Sequence, residues 1–155
     1  MPLRPFQASK PQPTGAEEDK PLLLYVEDDL NNQKVIGLRL RSKYRMLFAS
    51  NDKEACKIFF QRGKEIDAIL MDIELKDSEL NGIQLVKLIR QSLESTSLPV
   101  YAKNVPSLET PVIFVTAYGN HYPEVVRIKA MLIHKPVNFA ELEMALSRSF
   151  CQRTK

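Results

Sequence analysis

The sequence is poor in the residues that build disulfide frameworks and zinc sites. Its 155 residues include two cysteines, Cys56 and Cys151, and two histidines, His121 and His134. Two thiols so far apart do not make a disulfide framework or a metal cluster, so a reducing compartment is the default. We expect both to be buried or half-buried packing residues. Neither histidine has a partner at metal-binding spacing, and we assign no zinc site.

The sequence also lacks a large excess of charge of either sign, and it lacks long apolar runs. The 22 basic and 19 acidic residues leave a net charge of +3 and are spread along the chain. So weak a balance does not support binding to nucleic acid. No apolar stretch is long enough to span a bilayer, and the N-terminus lacks the apolar core of a signal peptide. We therefore expect a cytoplasmic protein with no nucleic-acid or membrane partner.

What the sequence does contain is one domain of ordinary composition behind a proline-rich start. The hydrophobic fraction is 44% and the charged fraction 26%, which is typical of a globular protein. Residues 1–20 hold prolines at 2, 5, 11 and 13 and an acidic run at 17–19, which disfavour regular structure. We predict a flexible tail or linker over 1–20 and a domain over 21–152.

Short apolar runs and helical patterns alternate along the domain. Strands are predicted over 21–26, 44–50, 67–72, 111–116 and 131–134. Helical patterns follow the first strand, then cover 51–63 and 82–93, begin again at Pro123, and cover 137–151. Five such alternations predict an α/β fold with a buried parallel sheet and right-handed crossovers.

The ends of these strands carry charged and hydroxyl side chains. Taken singly, each has an ordinary interpretation, such as a helix start at Glu27-Asp28-Asp29, a loop start at Asp72, or a solvated charge at Lys135. Taken together they are harder to explain, because parallel strands bring their carboxyl ends to one edge of the sheet. Clustered acids repel each other unless a divalent cation and a lysine offset the charge. Together with the hydroxyl of Thr116, the acids at 27–28 and 72 and the lysine at 135 therefore predict a phosphoryl-transfer site with Mg²⁺. Asp29 is interpreted as the helix start.

Four segments carry a resemblance to a known family. The segments "LLLYVEDD", "AILMD", "PVIFVTA" and "HKPV" resemble, in order, the motifs of the response-regulator receiver domain of two-component systems, over about residues 21–151. The resemblance implies a flavodoxin-like, doubly wound α/β fold. Its five-stranded parallel sheet would have the order 2-1-3-4-5, with about five flanking helices.

The resemblance also implies a metal site for Mg²⁺ or Mn²⁺. Asp28 matches the direct ligand, and Glu27 matches an acid that reaches the metal through water. Asp72 matches the phosphoacceptor, which shares the metal, and the backbone carbonyl of Glu74 matches a further ligand.

The phosphate side of the site follows from the same resemblance. Thr116 matches the switch hydroxyl, and Lys135 matches the phosphate-binding lysine, whose bond to Pro136 is often cis in the family. The Glu74 side chain and the small Ala117 match the positions at the mouth of the phosphate site.

The sequence departs from the family at several positions. Leu132 stands where the family has an aromatic switch residue, and neither Tyr118 nor Tyr122 can be assigned that role. The segment between Thr116 and Lys135 is short, which predicts a shortened fourth helix. Lys76 replaces a common proline, and we expect the loop 73–81 to be mobile.

The connection 91–110 is long and apolar. Its residues Leu98, Val100, Tyr101, Val105 and Leu108 favour packing on the flank of the fold. The alternative interpretation is a flap that docks a partner.

The resemblance implies a signalling phosphoacceptor, which is not an enzyme beyond its own phosphorylation and dephosphorylation. The donor would be a histidine kinase or a histidine phosphotransfer protein, and the output partner is not identified. Since no output domain is apparent, we expect action through protein contacts, either as a single-domain regulator, as a relay intermediate or as the receiver end of a hybrid kinase. Two alternatives stay open: a Mg²⁺-dependent phosphohydrolase with an aspartyl nucleophile, and a degenerate receiver used only for binding.

Overall fold

A five-stranded parallel sheet forms the centre of the molecule. A computed structural model describes residues 19–94, 98–117, 123–128 and 130–153, so the predicted tail lies almost wholly outside the described residues. The strands are β1 (Leu22–Val26), β2 (Arg45–Ala49), β3 (Ala68–Met71), β4 (Val112–Thr116) and β5 (Met131–His134). Their spatial order is β2-β1-β3-β4-β5 and every pairing is parallel, which confirms the predicted topology.

Helices flank the sheet on both faces. They are α1 (Leu30–Leu40), α2 (Asp52–Arg62), α3 (Gly82–Ile89), α4 (Glu124–Arg127) and α5 (Phe139–Arg153). Two short 3₁₀ turns cover Gly63–Glu65 and Val100–Ala102. The single turn of α4 confirms the shortened fourth helix.

The first three helices begin at side-chain caps. Asp29 caps α1 by accepting from the backbone N–H groups of Asn31 and Asn32, which confirms its interpretation as a helix start. Asn51 caps α2 by accepting from the N–H of Glu54. At α3, Asn81 and Gln84 form a reciprocal capping box.

The core has two layers, one on each face of the sheet. Residues of α2 and α3 such as Phe59 and Val86 pack on one face with the even-numbered side chains of β1. Residues of α1 and α5 such as Ile36 and Leu146 pack on the other face with Leu23 and Tyr25. The central strands β1, β3 and β4 are buried throughout, as expected for a parallel sheet covered on both sides.

Helix α3 is shorter than the sequence pattern predicted. The apolar pattern suggested a helix to residue 93, but the helix ends at Ile89 with Arg90 as its C-cap. Gln91 adopts a left-handed conformation (φ 61°), and the Ser92 N–H donates to the Lys87 carbonyl at 2.8 Å. This is the Schellman pattern with glutamine in the position usually held by glycine. The Arg90 guanidinium then donates to the carbonyls of Leu108 and Thr110, both at 2.6 Å.

The connection after α3 packs on the flank of the fold. Ala102, Val105 and Leu108 are buried in the same layer as α2 and α3, which confirms the favoured interpretation of this segment. Gly63 leaves room for this packing, because a Cβ there would lie 2.8 Å from a methyl carbon of Leu108. Val100 is the exception, with 79% of its surface exposed.

The two cysteines differ in their surroundings. Cys56 is buried, as predicted, and burial raises the pKa of its thiol to about 12. Cys151 is exposed, so the expectation of a buried or half-buried residue was wrong for this position, which lies on the outer face of α5. Among the described residues, no helix combines the length and the apolar character needed to cross a membrane.

Candidate phosphoacceptor and metal site

The carboxyl ends of β1 and β3 place two acids side by side. Val26 and Met71 are partners in the strand register, so Glu27 and Asp72 follow at the same level. The Asp72 N–H donates to the Val26 carbonyl at 3.0 Å, which continues the ladder one residue beyond β3. Both side chains are buried, with 1% of Glu27 and 6% of Asp72 exposed.

Three carboxylates converge at this edge of the sheet. One oxygen each from Glu27, Asp28 and Asp72 lies within 4.8 Å of the others. An octahedral Mg²⁺ with ligands at about 2.1 Å places its oxygens about 3–4 Å apart, so small side-chain movements would bring this set to a hard cation. Oxygen-only donors also fit Mg²⁺ better than a softer metal.

Lys135 closes the cluster from the end of β5. Its Nζ donates to Glu27 at 2.7 Å and to Asp72 at 2.9 Å. Three carboxylates against one ammonium leave two negative charges in excess, which a divalent cation would neutralise. The bond between Lys135 and Pro136 is cis.

Glu27 is held in one orientation by its neighbours. The Tyr25 hydroxyl donates to its Oε2 at 2.9 Å, and the Asp29 N–H donates to its Oε1 at 3.1 Å. Burial and the charge of Glu27 raise the pKa of the Tyr25 hydroxyl, so it remains a donor at neutral pH. Tyr25 was not among the predicted site residues, although its position two residues before Glu27 puts it on the same side of the strand.

Asp28 is oriented by the loop that follows β3. Its Oδ2 accepts from the Lys76 backbone N–H at 2.9 Å. From the sequence, Lys76 was recognisable only as a departure from a proline that is common in the family. A proline at this position would lack this donor, so the departure adds an anchor for Asp28.

The buried position of Asp72 changes its acidity. Burial raises the pKa of its carboxyl from 3.8 to about 6, opposed by the hydrogen bond from Lys135 and reinforced by the charge of Glu27. Burial alone would lower the pKa of Lys135, but its hydrogen bonds to Glu27 and Asp72 outweigh that effect and raise it. At neutral pH the site therefore holds an ionised aspartate next to a protonated lysine.

Two of the remaining predicted residues, Glu74 and Ala117, lie at the opening of this site. A cleft of about 360 Å³ is lined by Glu74, Ala117, Asn32, Leu75 and Lys76 together with the acids and Lys135. Glu74 and Ala117 are exposed there. Thr116, the last residue of β4, is fully buried beside the cleft and does not line it.

The loop 73–81 is more firmly attached than we expected. Besides the Lys76 contact with Asp28, the N–H groups of Glu79 and Leu80 each donate to Oδ2 of Asp52 at 3.0 Å. Leu75 and Leu80 are buried in the core. These long-range contacts anchor a segment whose composition had suggested a mobile loop.

Gly82 closes the loop directly against the phosphoacceptor candidate. A Cβ at this position would lie 2.0 Å from the backbone oxygen of Asp72. Its N–H donates to the Ile73 carbonyl at 2.8 Å. The chain therefore requires glycine here for a close approach of two backbone segments.

Leu132 does not line the cleft. It is the register partner of Phe114 and packs in the layer that contains Val125 of α4. Tyr118, His121 and Tyr122 lie outside the described residues, while His134 is exposed at the end of β5.

Comparison with known proteins identifies the kind of domain. Residues 23–147 match the family model described as the response regulator receiver domain. Response regulators described as NtrX-like from Rickettsia conorii and Rickettsia felis are 28% identical over 137 residues, which is 86% of this chain. The chain spans about a quarter (25%) of the length of these curated relatives.

Solved structures have the same fold. The non-phosphorylated receiver domain of HemR from Leptospira biflexa is 26% identical with a TM-score of 0.65, over 84% of this chain and 94% of that one. The receiver domain of a sensor histidine kinase from Pseudomonas aeruginosa, with magnesium coordinated in its active-site cleft, is 28% identical with a TM-score of 0.64, over 84% and 98%. A receiver domain from Clostridium thermocellum reaches a TM-score of 0.70 at 20% identity, over 86% and 97%, and supports the fold alone.

Proposed function

The chain belongs to the response regulator receiver domain family, and from that premise we propose that it accepts a phosphoryl group on Asp72 in a Mg²⁺-dependent reaction. The observation that carries the proposal is the contact of Asp72 with Lys135 at a place where carboxylate oxygens of Glu27 and Asp28 lie within 4.8 Å. That arrangement leaves Asp72 ionised, oriented and open to a cleft.

The reaction is a transfer between two nucleophiles. An Asp72 carboxylate oxygen forms a bond to phosphorus while the bond from phosphorus to the imidazole nitrogen of a phosphohistidine breaks, and the imidazole keeps the electron pair. A carboxylate already ionised at neutral pH needs no general base for this step. The pKa of about 6 for Asp72 meets that requirement.

Each neighbouring residue has a defined task in this proposal. Lys135, which already contacts Asp72 at 2.9 Å, would contact the incoming phosphoryl oxygens and offset their charge. Asp28, Glu27 through water and the Glu74 carbonyl would hold Mg²⁺ or Mn²⁺ with Asp72. When bound, the cation would offset the negative charge that gathers at the site during the transfer. The hydroxyl of Thr116 would donate to the phosphoryl group after a side-chain movement.

The proposal extends to partners and location. The donor is a histidine kinase or a histidine phosphotransfer protein, and residues 21–152 form the unit that it recognises, preceded by a tail over 1–20. We place this unit in the cytoplasm, where it signals by protein contacts and promotes only its own phosphorylation and dephosphorylation. Leu132 implies that the structural response differs from the usual aromatic switch.

The test is phosphorylation by a small acyl phosphate with and without Mg²⁺, measured by intact mass. We expect one added phosphoryl group that requires Mg²⁺ and is lost in Asp72→Asn. Asp67→Asn is the matched control, because Asp67 stands at the opposite end of the same strand, where it accepts from the Leu22 N–H at 2.8 Å. No added mass on a folded wild-type chain would contradict the proposal. Steady release of phosphate from small esters would instead favour the phosphohydrolase.

A further inference from the structure

A second buried aspartate lies outside the phosphoacceptor site. Asp52, in the first turn of α2, has only 2% of its surface exposed. Its Oδ2 accepts from the N–H groups of Glu79 and Leu80 and from the Tyr101 hydroxyl. Its own N–H donates to the Ser78 hydroxyl at 3.0 Å. Asp52 thus joins the start of α2 to residues that follow it by 26 to 28 and by 49 positions in the sequence.

These contacts converge on the loop that orients Asp28. Lys76 donates its backbone N–H to Asp28, and Asp77 follows with a left-handed φ of 56°. A residue other than glycine in that conformation persists only where its surroundings hold it. The contacts of Asp52 with Ser78, Glu79 and Leu80 begin one residue later. The turn at Asp77 is therefore held on one side by Asp52 and on the other by Asp28.

Tyr101 adds a contact from the connection that follows α3. It lies in the 3₁₀ turn Val100–Ala102, between an exposed Val100 and a buried Ala102. Burial, followed by the hydrogen bond to Asp52, raises the pKa of its hydroxyl, so it is a donor at physiological pH. Its ring is partly buried against the core layer of α2 and α3.

We propose that Asp52 and Tyr101 are positioning residues for the phosphoacceptor site. Through the turn at Asp77, they hold the Lys76 N–H against Asp28 and fix the geometry that Asp28 presents to a divalent cation. The inference rests on the proposed function, since it assigns a task to the same site. Neither residue touches the reacting atoms.

The inference predicts a specific loss in Tyr101→Phe, which keeps the ring and removes one donor. Loss of a group that orients a metal ligand typically weakens metal affinity about 10–100-fold. The Tyr101 hydroxyl acts on Asp28 only indirectly, so we expect its removal to raise the Mg²⁺ dissociation constant about threefold. Asp52→Asn, which weakens all three hydrogen bonds to the side chain, should cost about tenfold. Amide exchange at Lys76 should accelerate in both variants without metal.

Amide NMR of the labelled chain measures both quantities, through a Mg²⁺ titration and through exchange rates. Tyr44→Phe is the matched control, because Tyr44 is also partly buried but stacks on Phe150 at 5.8 Å in the other core layer. Leu146→Ala controls for a general loss of stability, since Leu146 is fully buried in that same layer. Both controls should keep the wild-type Mg²⁺ affinity.

The outcomes separate this inference from the proposed function. If wild type is phosphorylated but Tyr101→Phe binds Mg²⁺ as wild type does, the positioning role is wrong and the proposed function stands. If Leu146→Ala loses affinity as Tyr101→Phe does, the effect is general instability and the inference is again wrong. If wild type binds Mg²⁺ and is never phosphorylated, the proposed function fails. Should Asp52→Asn fail to fold, Tyr101→Phe alone decides.

Discussion

Asp52 and Asp72 are both buried aspartates at the edge of the same loop, and they are held in different ways. Asp52 is surrounded by neutral donors, two backbone N–H groups and one hydroxyl. Asp72 is surrounded by charges, with Lys135 in contact and Glu27 and Asp28 nearby. Neutral donors satisfy a carboxylate and fix the segments that supply them. A carboxylate crowded by other acids costs stability but is ready to accept an electrophile.

The largest expected effect concerns Gly82, which follows the loop 73–81 that both aspartates border. Gly82→Ala would place a Cβ 2.0 Å from the Asp72 backbone oxygen. Because the obstacle is backbone, we expect a loss of about 4 kcal/mol or more in the free energy of unfolding. Urea unfolding measures it.

Gly37→Ala is the control for that substitution. Its Cβ would meet the tip of the Phe48 ring at 2.9 Å, and Phe48 is 38% exposed and can move. We expect a change within about 1 kcal/mol, because alanine also favours the helix. Equal losses in the two variants would contradict the role of close backbone approach at Gly82.

Removal of the Asp52 carboxylate should be the next largest effect. Asp52→Ala leaves the N–H groups of Glu79 and Leu80 and the Tyr101 hydroxyl without their acceptor. We expect a loss of about 2–3 kcal/mol in the free energy of unfolding. A variant as stable as wild type would show that Asp52 does not hold the loop.

Asp72→Asn should make the folded protein more stable, whereas Asp52→Ala should make it less stable. The folded pKa of Asp72 is about 6 against 3.8 in the unfolded chain, so its ionisation costs stability as the pH rises through that interval. Two pKa units correspond to about 3 kcal/mol, and the weakened contact with Lys135 reduces the gain to about 1–2 kcal/mol.

The pH dependence of that gain is the check. In metal-free buffer the gain should be absent below about pH 3, where Asp72 is protonated in both the folded and the unfolded state, and complete above about pH 7. Urea unfolding at the two pH values measures it. A gain of the same size at both pH values would show that ionisation of Asp72 is not its source.

The positions of the two aspartates were not equally predictable. Asp72 could be placed because an apolar strand ends on it and parallel strands bring their ends together. The task of Asp52 could not, because its partners Ser78 and Tyr101 are 26 and 49 residues away and belong to loops without periodicity. The anchoring of Asp28 depends on a backbone N–H, which residue type does not reveal.

Helix α3 shows the same difference between features that a local pattern predicts and features that distant contacts determine. The apolar pattern located α3 but not its end, since Ile89 is followed by a turn that Arg90 stabilises through carbonyls about 20 residues later. The alternation predicted the parallel sheet, and the resemblance to a known family implied the strand order. Long-range contacts that set loops and helix ends were not predictable.

The smallest expected effect is a difference in thiol reactivity near Asp52. Cys56, one turn after Asp52 and buried, has a pKa raised to about 12 by burial and then by the Asp52 charge. Cys151 is exposed. A maleimide at neutral pH should label Cys151 within minutes and Cys56 only on unfolding, as measured by intact mass. Cys56 should be labelled faster in Asp52→Ala, because the contacts between α2 and the loop are lost. An unchanged labelling rate would indicate that α2 opens independently of the loop.

The most direct test of the central claim is to locate the phosphoryl group. After reaction with an acyl phosphate and Mg²⁺, borohydride reduction converts a phosphorylated aspartate to homoserine. Trypsin then releases residues 65–76, a peptide that holds both Asp67 and Asp72. Tandem mass spectrometry should find the conversion at Asp72 and leave Asp67 unchanged. Conversion at Asp67, at Asp28 or at any other acid, with Asp72 intact, would contradict the account.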